Sequence, residues 1–154
     1  IALRNKYYPS VKISVLSNST MIDRPAVAEA LLKVDNNILK LDSAVDATMR
    51  LIDRPANKEF TVEHVVGHLK KFRHQCIVQT MMVRGEHDGV RIDNTTDAEI
   101  QALLKAYLEI EPAEVMLYSL DRPTPEQRLQ KVERDELERI AEVFRQKGIK
   151  VQVN

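Results

Sequence analysis

The sequence predicts an α/β fold built from parallel β/α units. Five short segments rich in β-branched or apolar residues recur along the chain, and segments with a helical spacing of apolar residues lie between them. The third β-rich segment is nearly all apolar, as expected of a strand buried in a parallel sheet. Strands that alternate with helices pair in parallel through right-handed crossovers. An open doubly wound sheet and part of an α/β barrel both satisfy this pattern.

The first part of the chain predicts two strands and two helices. Residues 11–16 are rich in β-branched side chains and precede a turn-forming segment, which indicates the first strand. Asp23 is expected to cap a helix that has Pro25 in its first turn. Residues 37–41 predict the second strand, and residues 46–52 predict a short helix after it.

The middle of the chain contains the strongest patterns. Thr61 begins a helix with a continuous apolar stripe. Residues 76–83 predict a third strand buried on both faces, and residues 84–88 predict a polar loop. Thr96 and Glu99 have the spacing of a capping box, so they predict the start of the next helix.

The last part of the chain completes the alternation. The helix that follows Thr96 is expected to end at Pro112, and residues 114–120 predict the fourth strand. A further amphipathic helix is expected to end at Gly148 as its C-cap. Residues 149–153 then supply the fifth strand.

Composition limits the domain count and the classes of partner. The 154 residues are enough for one domain with a single core, and we read residues 1–154 as one domain. The formal net charge is zero, which argues against nucleic acid and anionic membrane partners, and no apolar run is long enough to span a bilayer. The lone Cys76 agrees with a reducing compartment, so we expect a cytoplasmic protein. Residues 1–6 read like the last turn of a helix, which suggests a piece of a longer protein.

Polar side chains at the predicted strand ends are the candidates for a ligand site, because ligands of parallel α/β folds bind there. Lys40 and Asp42 are two residues apart on a strand, so they point to the same face. They form either a charged pair facing a ligand or an internal ion pair. Gln79 and Met81 share a face of the most apolar strand, where Gln79 is either a ligand contact or a satisfied core amide.

Other candidate residues have simpler interpretations. Glu86, His87 and Asp88 are consecutive in the predicted loop and are interpreted as solvated, because adjacent loop residues seldom converge on one atom. His64 and His68 are interpreted as surface residues, because no Glu follows His64 as a zinc-protease pattern requires. Glycine-rich dinucleotide or phosphate-binding motifs are absent from the sequence. We assign no catalytic residue and no metal ligand.

In their order and spacing, several segments resemble the radical SAM superfamily, in the branch of Fe–S oxidoreductases related to activating enzymes. The first three resemble that family's third, fourth and fifth strands, and the last two resemble a later strand and helix. These segments are V-L-S-N-S-T, I-L-K-L-D-S, I-V-Q-T-M-M-V-R-G, Y-S-L-D-R-P-T-P-E and D-E-L-E-R-I-A.

The resemblance implies a partial, TIM-like (β/α) barrel that binds S-adenosylmethionine against a [4Fe–4S] cluster. In the family, three cysteines in C-x-x-x-C-x-x-C hold that cluster. This motif is absent here, and Cys76 does not match it. We therefore expect a C-terminal fragment of a radical SAM core, with the motif upstream in a full-length parent. The fragment alone is expected to be inactive and to bind no cofactor.

The resemblance also assigns cofactor-binding residues. It implies that Asn18, Lys40 and Gln79 line the S-adenosylmethionine pocket, and Asp42 is counted with them beside Lys40. Ser19 stands where the family usually has glycine, and Lys40 stands where serine is common.

Two interpretations therefore remain at the level of sequence. The first is part of a radical SAM Fe–S oxidoreductase that acts on an unknown substrate. The second is a self-contained doubly wound domain that binds a small ligand or has a regulatory role. If the first is right, exposed strand edges are expected to cause self-association.

Overall fold

The computed structural model of the chain describes residues 1–57, 59–122 and 124–154. Pro123, which belongs to the Y-S-L-D-R-P-T-P-E segment, lies outside the described residues. In chain order the elements are α1 (Ala2–Tyr7), β1 (Ser14–Ser17), α2 (Pro25–Leu31), β2 (Asn36–Lys40), α3 (Asp46–Asp53), α4 (Val62–Leu69), a 3₁₀ turn (Lys70–Phe72), β3 (Cys76–Met81), β4 (Val83–His87), β5 (Val90–Asp93), α5 (Asp97–Ile110), β6 (Glu114–Tyr118), β7 (Leu129–Lys131), α6 (Arg134–Arg145) and β8 (Val151–Val153).

The central sheet confirms the predicted fold class. It has five parallel strands in the order β1-β2-β3-β6-β8, so each strand lies beside the next parallel strand of the chain. A doubly wound sheet reverses its strand order at a switch point. Throughout the described residues the order runs one way, so right-handed crossovers bring the helices to one face. This is the arrangement of a partial (β/α) barrel and not of a doubly wound domain.

The two faces of the sheet differ in burial. On the core face, alternate strand residues such as Leu39, Val78 and Val115 are completely buried and pack with the apolar faces of the helices. On the other face, called here the open face, Gln79 and Met116 are only half-buried. The prediction that the third strand is buried on both faces is therefore wrong, because helices cover only one side of it.

A second sheet, of three antiparallel strands in the order β5-β4-β7, follows directly after β3. The prediction that residues 84–88 form a polar loop is wrong, because most of them form β4. The hairpin between β4 and β5 turns at Asp88 and Gly89, which both have positive φ, as the favoured two-residue hairpin turn requires. The Asp-Gly pair was the sequence signal for this hairpin.

The helix termini agree only partly with the prediction. Thr61 and Thr96 cap α4 and α5 through their hydroxyl groups, as expected. The carboxylate of Glu99 accepts a hydrogen bond from Ser43 Oγ at 2.7 Å. In a capping box it would instead accept from the backbone N–H of Thr96. The cap position of α2 is Arg24 and not Asp23. Over the ranges that the structure describes, the helices are too short or too polar to cross a membrane.

Candidate functional site

A buried ion pair lies at the carboxyl end of β2, on the central strands of the sheet. Lys40 Nζ is 2.7 Å from Asp42 Oδ2, and the Asp42 side chain is completely buried. The other carboxylate oxygen of Asp42 accepts a hydrogen bond from the Met81 N–H at 2.8 Å. Burial lowers the pKa of Lys40, but the charge of Asp42, its hydrogen bond to Lys40 and the nearby Tyr118 and Asp53 together outweigh burial and raise that pKa. Lys40 is therefore a charged ammonium held at the strand end.

Asp53, the last residue of α3, joins this pair. Its carboxyl group is hydrogen-bonded to that of Asp42, and burial together with the charge of Asp42 raises the pKa of Asp53 to about 7. Asp53 is therefore partly protonated at neutral pH. The sequence analysis missed Asp53, which lies on a helix and not at a strand end.

The open face beside Lys40 carries Gln79, Met116 and Tyr118. Lys40 and Gln79 are register partners on neighbouring strands, so their side chains lie on the same face. Gln79 Nε2 makes a weak contact of 3.5 Å with Met116 Sδ. Burial raises the pKa of the half-buried Tyr118, although the nearby Lys40 acts in the opposite direction. The amide, ammonium and phenol groups thus face one partly open surface.

Asn18 lies one loop away from Lys40. Its Oδ1 accepts hydrogen bonds from the Thr20 N–H at 3.2 Å and the Thr20 hydroxyl at 2.7 Å, which closes a local turn. Asn18 is exposed and lines the same surface cavity as Asp53. The structure therefore brings Lys40, Asp42 and Gln79 together and leaves Asn18 at the edge of the group.

Ser19 occupies a backbone conformation that favours glycine. Its φ of 64° lies in the left-handed region, which glycine adopts without steric cost. The side chain is almost completely buried, and its hydroxyl donates to the carbonyl oxygen of Lys40 at 2.9 Å. This bond ties the loop after β1 to the end of β2.

Asn94 is a second positioning residue that the sequence analysis missed. Its Nδ2 donates to the carbonyl oxygens of Asp42 and Met81, each at 2.7 Å, and its Oδ1 accepts from the Val83 N–H at 2.7 Å. The completely buried amide therefore joins the ends of β2 and β3 to the start of β4. An Asn after the hairpin gave no motif by which to find this role.

The residues of this chain do not fit an iron–sulfur cluster. Such a cluster needs several thiolates, and Cys76 is the only cysteine. Cys76 is completely buried on the core face, and burial raises the pKa of its thiol to about 11, so the thiol stays protonated at neutral pH. Within residues 1–57, 59–122 and 124–154, no three His, Cys, Asp or Glu side chains are grouped to hold a metal ion.

The open face presents hydrogen-bond donors that suit a carboxylate. Lys40 and Gln79 both present N–H donors, and these are the groups that bind a carboxylate. Asp53 adds a carboxyl group that can lose its proton near neutral pH. The group of side chains can therefore bind a zwitterion and exchange one proton.

Comparison with known proteins gives structural relatives and one distant sequence relative. A radical SAM methyltransferase from Sphaerobacter thermophilus superposes with a TM-score of 0.70 and 18% identity over 92% of this chain and 40% of that one. A domain of pyruvate-formate lyase-activating enzyme from Bacteroides vulgatus ATCC 8482 gives a TM-score of 0.67 and 11% identity over 99% of this chain and 87% of that one. No protein-family model matches the chain.

The sequence relative is a UPF0026 protein of Helicobacter pylori (strain ATCC 700392 / 26695). It is 25% identical over 121 residues, which cover 77% of this chain and 37% of the relative. The chain thus spans well under half of this relative and of the methyltransferase. The two solved structures nevertheless superpose on 92% and 99% of this chain, so the chain shares their fold.

Proposed function

We propose that this chain is the C-terminal part of the core of a radical SAM Fe–S oxidoreductase, whose substrate is unknown. The observation that carries the proposal is the open face of a singly wound sheet, with Lys40, Asp42 and Gln79 at the carboxyl ends of its strands. The fold shared with two solved radical SAM enzymes supports it.

In this proposal the chain supplies part of the S-adenosylmethionine pocket. Asp42 holds Lys40 charged and directed at the open face, where its ammonium can pair with the carboxylate of a bound amino acid. Gln79 lies beside it with spare amide hydrogen-bonding capacity, because the side-chain hydrogen bond that it makes among the described residues is the weak one with Met116. Asn18 contributes from the loop at the edge.

The cluster would be held by cysteines elsewhere in a longer protein. The chain corresponds to 40% of the methyltransferase and to 37% of the UPF0026 protein, which leaves room for such a segment. In the complete enzyme, a reduced [4Fe–4S] cluster would supply the electron that cleaves S-adenosylmethionine and starts radical chemistry. The fragment alone is expected to be inactive. We expect the complete protein in the cytoplasm, where reducing conditions preserve free thiols.

The first test uses the complete protein that contains this chain. It is purified without oxygen, supplied with iron, sulfide and a reductant, and incubated with S-adenosylmethionine. We expect visible absorbance of an iron–sulfur cluster and the cleavage product 5′-deoxyadenosine by chromatography. A complete protein that forms no cluster and cleaves no S-adenosylmethionine contradicts the proposal.

The second test concerns the pocket. Replacing Gln79 with Ala in the complete protein is expected to weaken S-adenosylmethionine binding by roughly 2- to 12-fold, the equivalent of one hydrogen bond of about 0.5–1.5 kcal/mol. Gln101→Ala, on the exposed outer surface of α5, is the matched control and should bind like the parent. Equal affinities of the two variants, measured by calorimetry, would remove Gln79 from the pocket.

A further inference from the structure

A separate cavity of about 260 Å³ lies beside the strand-end group, between the last turn of α3 and the antiparallel sheet. This size is near the lower limit of small-molecule sites. The walls of the cavity are mostly apolar and come from α3, the end of β3 and the antiparallel sheet. The apolar lining residues are Leu51, Ile52, Met81, Val83, Ile92 and Leu129.

The polar lining of this cavity is concentrated in four residues. Asp53 and Arg54 come from the end of α3, His87 from β4, and Glu126 from the segment before β7. His87 Nδ1 is 2.6 Å from Glu126 Oε2, and Arg54 is 3.7 Å from the other oxygen of Glu126. His87 is largely buried, so the interpretation of this residue as part of a solvated loop is wrong.

The pairing of charges around the cavity distinguishes Asp53. Among the described residues, Lys40 pairs with Asp42 and Arg54 pairs with Glu126. Asp53 instead has another carboxyl group as its partner. A cation that enters the cavity would therefore meet an acid whose ionised form is opposed by the charge of Asp42, and it would favour that ionised form. The titratable groups that face Asp53 are Lys40, Asp42 and Tyr118 at the strand ends, and Arg54, His87 and Glu126 around the cavity.

We propose that this cavity binds a small molecule with an apolar body and a protonated amine, and that Asp53 pairs with the amine. The body would pack against Ile52, Met81 and Val83, and the ammonium would replace the proton that Asp53 shares with Asp42. That proton leaves to solvent, so the bound state contains an ammonium and a carboxylate, and no redox reagent is needed. If the proposed function holds, this cavity is the substrate site of the complete enzyme, and the substrate class is amines.

The binding experiment uses isopentylamine as the probe and the full 154-residue chain labelled with ¹³C at its methyl groups. We expect saturable NMR shifts of the Met81, Ile52 and Ile92 methyls. Isovalerate, which replaces the ammonium with a carboxylate, should produce none, and isopentanol should bind at least several-fold more weakly. Equal shifts with all three probes, or none with the amine, would refute the proposal.

The variants test the partner of the amine. Asp53→Asn should weaken isopentylamine binding roughly tenfold or more, and Asp121→Asn, which removes an exposed carboxylate, should bind like the parent. At pH 6, where Asp53 is mostly protonated, binding to the parent should release close to one proton per ligand to a pH indicator. Unchanged affinity in Asp53→Asn, or binding without proton release, overturns the pairing. Binding is measured on this chain alone, so failure here is distinguishable from failure of S-adenosylmethionine cleavage in the complete protein.

Discussion

The two carboxyl groups at the ends of β2 and α3 have unequal partners. Asp42 is completely buried but has the Lys40 ammonium on one oxygen and the Met81 N–H on the other. Both partners stabilise its negative charge. Asp53 has no comparable partner, and burial together with the charge of Asp42 raises its pKa to about 7. Below about pH 7 the protonated form of Asp53 therefore predominates in the folded protein.

This assignment predicts how stability depends on pH. Because the folded pKa of Asp53 is raised from 3.8 to about 7, the folded state binds this proton more tightly than the unfolded state does between those values. The stabilisation from Asp53 is complete below about pH 4 and is lost as the pH rises through 7. Asp53→Asn keeps a neutral donor at every pH. As the pH rises from 5 to 8, the urea concentration at its unfolding midpoint should therefore fall less than that of the parent. Parallel midpoint curves for the two proteins would contradict the shared proton.

The sequence was sufficient for only some of the site residues. The period of a strand placed Lys40 and Asp42 on one face, and their 2.7 Å contact shows the charged pair that both interpretations expected. Asp53 and Asn94 belong to other elements, so strand periodicity could not bring them to this site. His87 was misassigned because three consecutive polar residues were interpreted as a loop. Polar residues also occur in β4, because most of its positions are partly exposed to solvent.

At the scale of elements, the prediction identified the parallel strands but missed the antiparallel sheet. Buried parallel strands are apolar and need helices between them, so both signals are strong. The predicted strand over residues 76–83 divides at Met82, whose N–H donates to the carbonyl oxygen of Tyr118 before β4 begins. The strands of the hairpin are polar and short, and β7 pairs with β4 from a distant part of the chain. No local sequence pattern predicts the pairing of β7 with β4.

Gly85 provides a test of the antiparallel sheet. Its φ is 134°, and an added Cβ would lie 2.2 Å from the carbonyl oxygen of Arg128 where β7 approaches β4. Gly85→Ala is expected to destabilise the protein by about 1–3 kcal/mol, because both backbones must move.

The matched control is Gly67→Ala on the exposed surface of α4, where an added Cβ meets no atom within 4 Å. In that helix interior alanine should stabilise by about 0.5–1 kcal/mol. Chemical denaturation of both variants measures the difference. If Gly85→Ala is as stable as Gly67→Ala, then β7 does not approach β4 so closely.

At the scale of the whole molecule, the parallel sheet has β1 at one edge and exposed apolar side chains near it. Leu16, on β1, is 64% exposed, while Leu3 and Tyr8, which precede that strand, are 74% and 68% exposed. An edge strand offers unpaired backbone groups, and apolar residues beside it favour contact with another chain.

We therefore predict that the isolated chain associates with itself through β1. Sedimentation velocity should show dimers or larger species whose proportion grows with concentration. Leu16→Lys should reduce this association, because a lysine on an edge strand opposes pairing. Leu108→Lys, on the exposed side of α5, is the control for added charge and should associate like the parent. A parent chain that remains monomeric at high concentration would contradict the prediction.

The one-way strand order also bears on how the chain folds during synthesis. Every parallel strand docks on the one formed just before it, so no part of the central sheet must wait for a strand made much later. The antiparallel sheet differs, because β4 gains β7 only after β6 has emerged from the ribosome. The wall of the amine cavity that contains Leu129 is thus finished late, after most of the core is already closed.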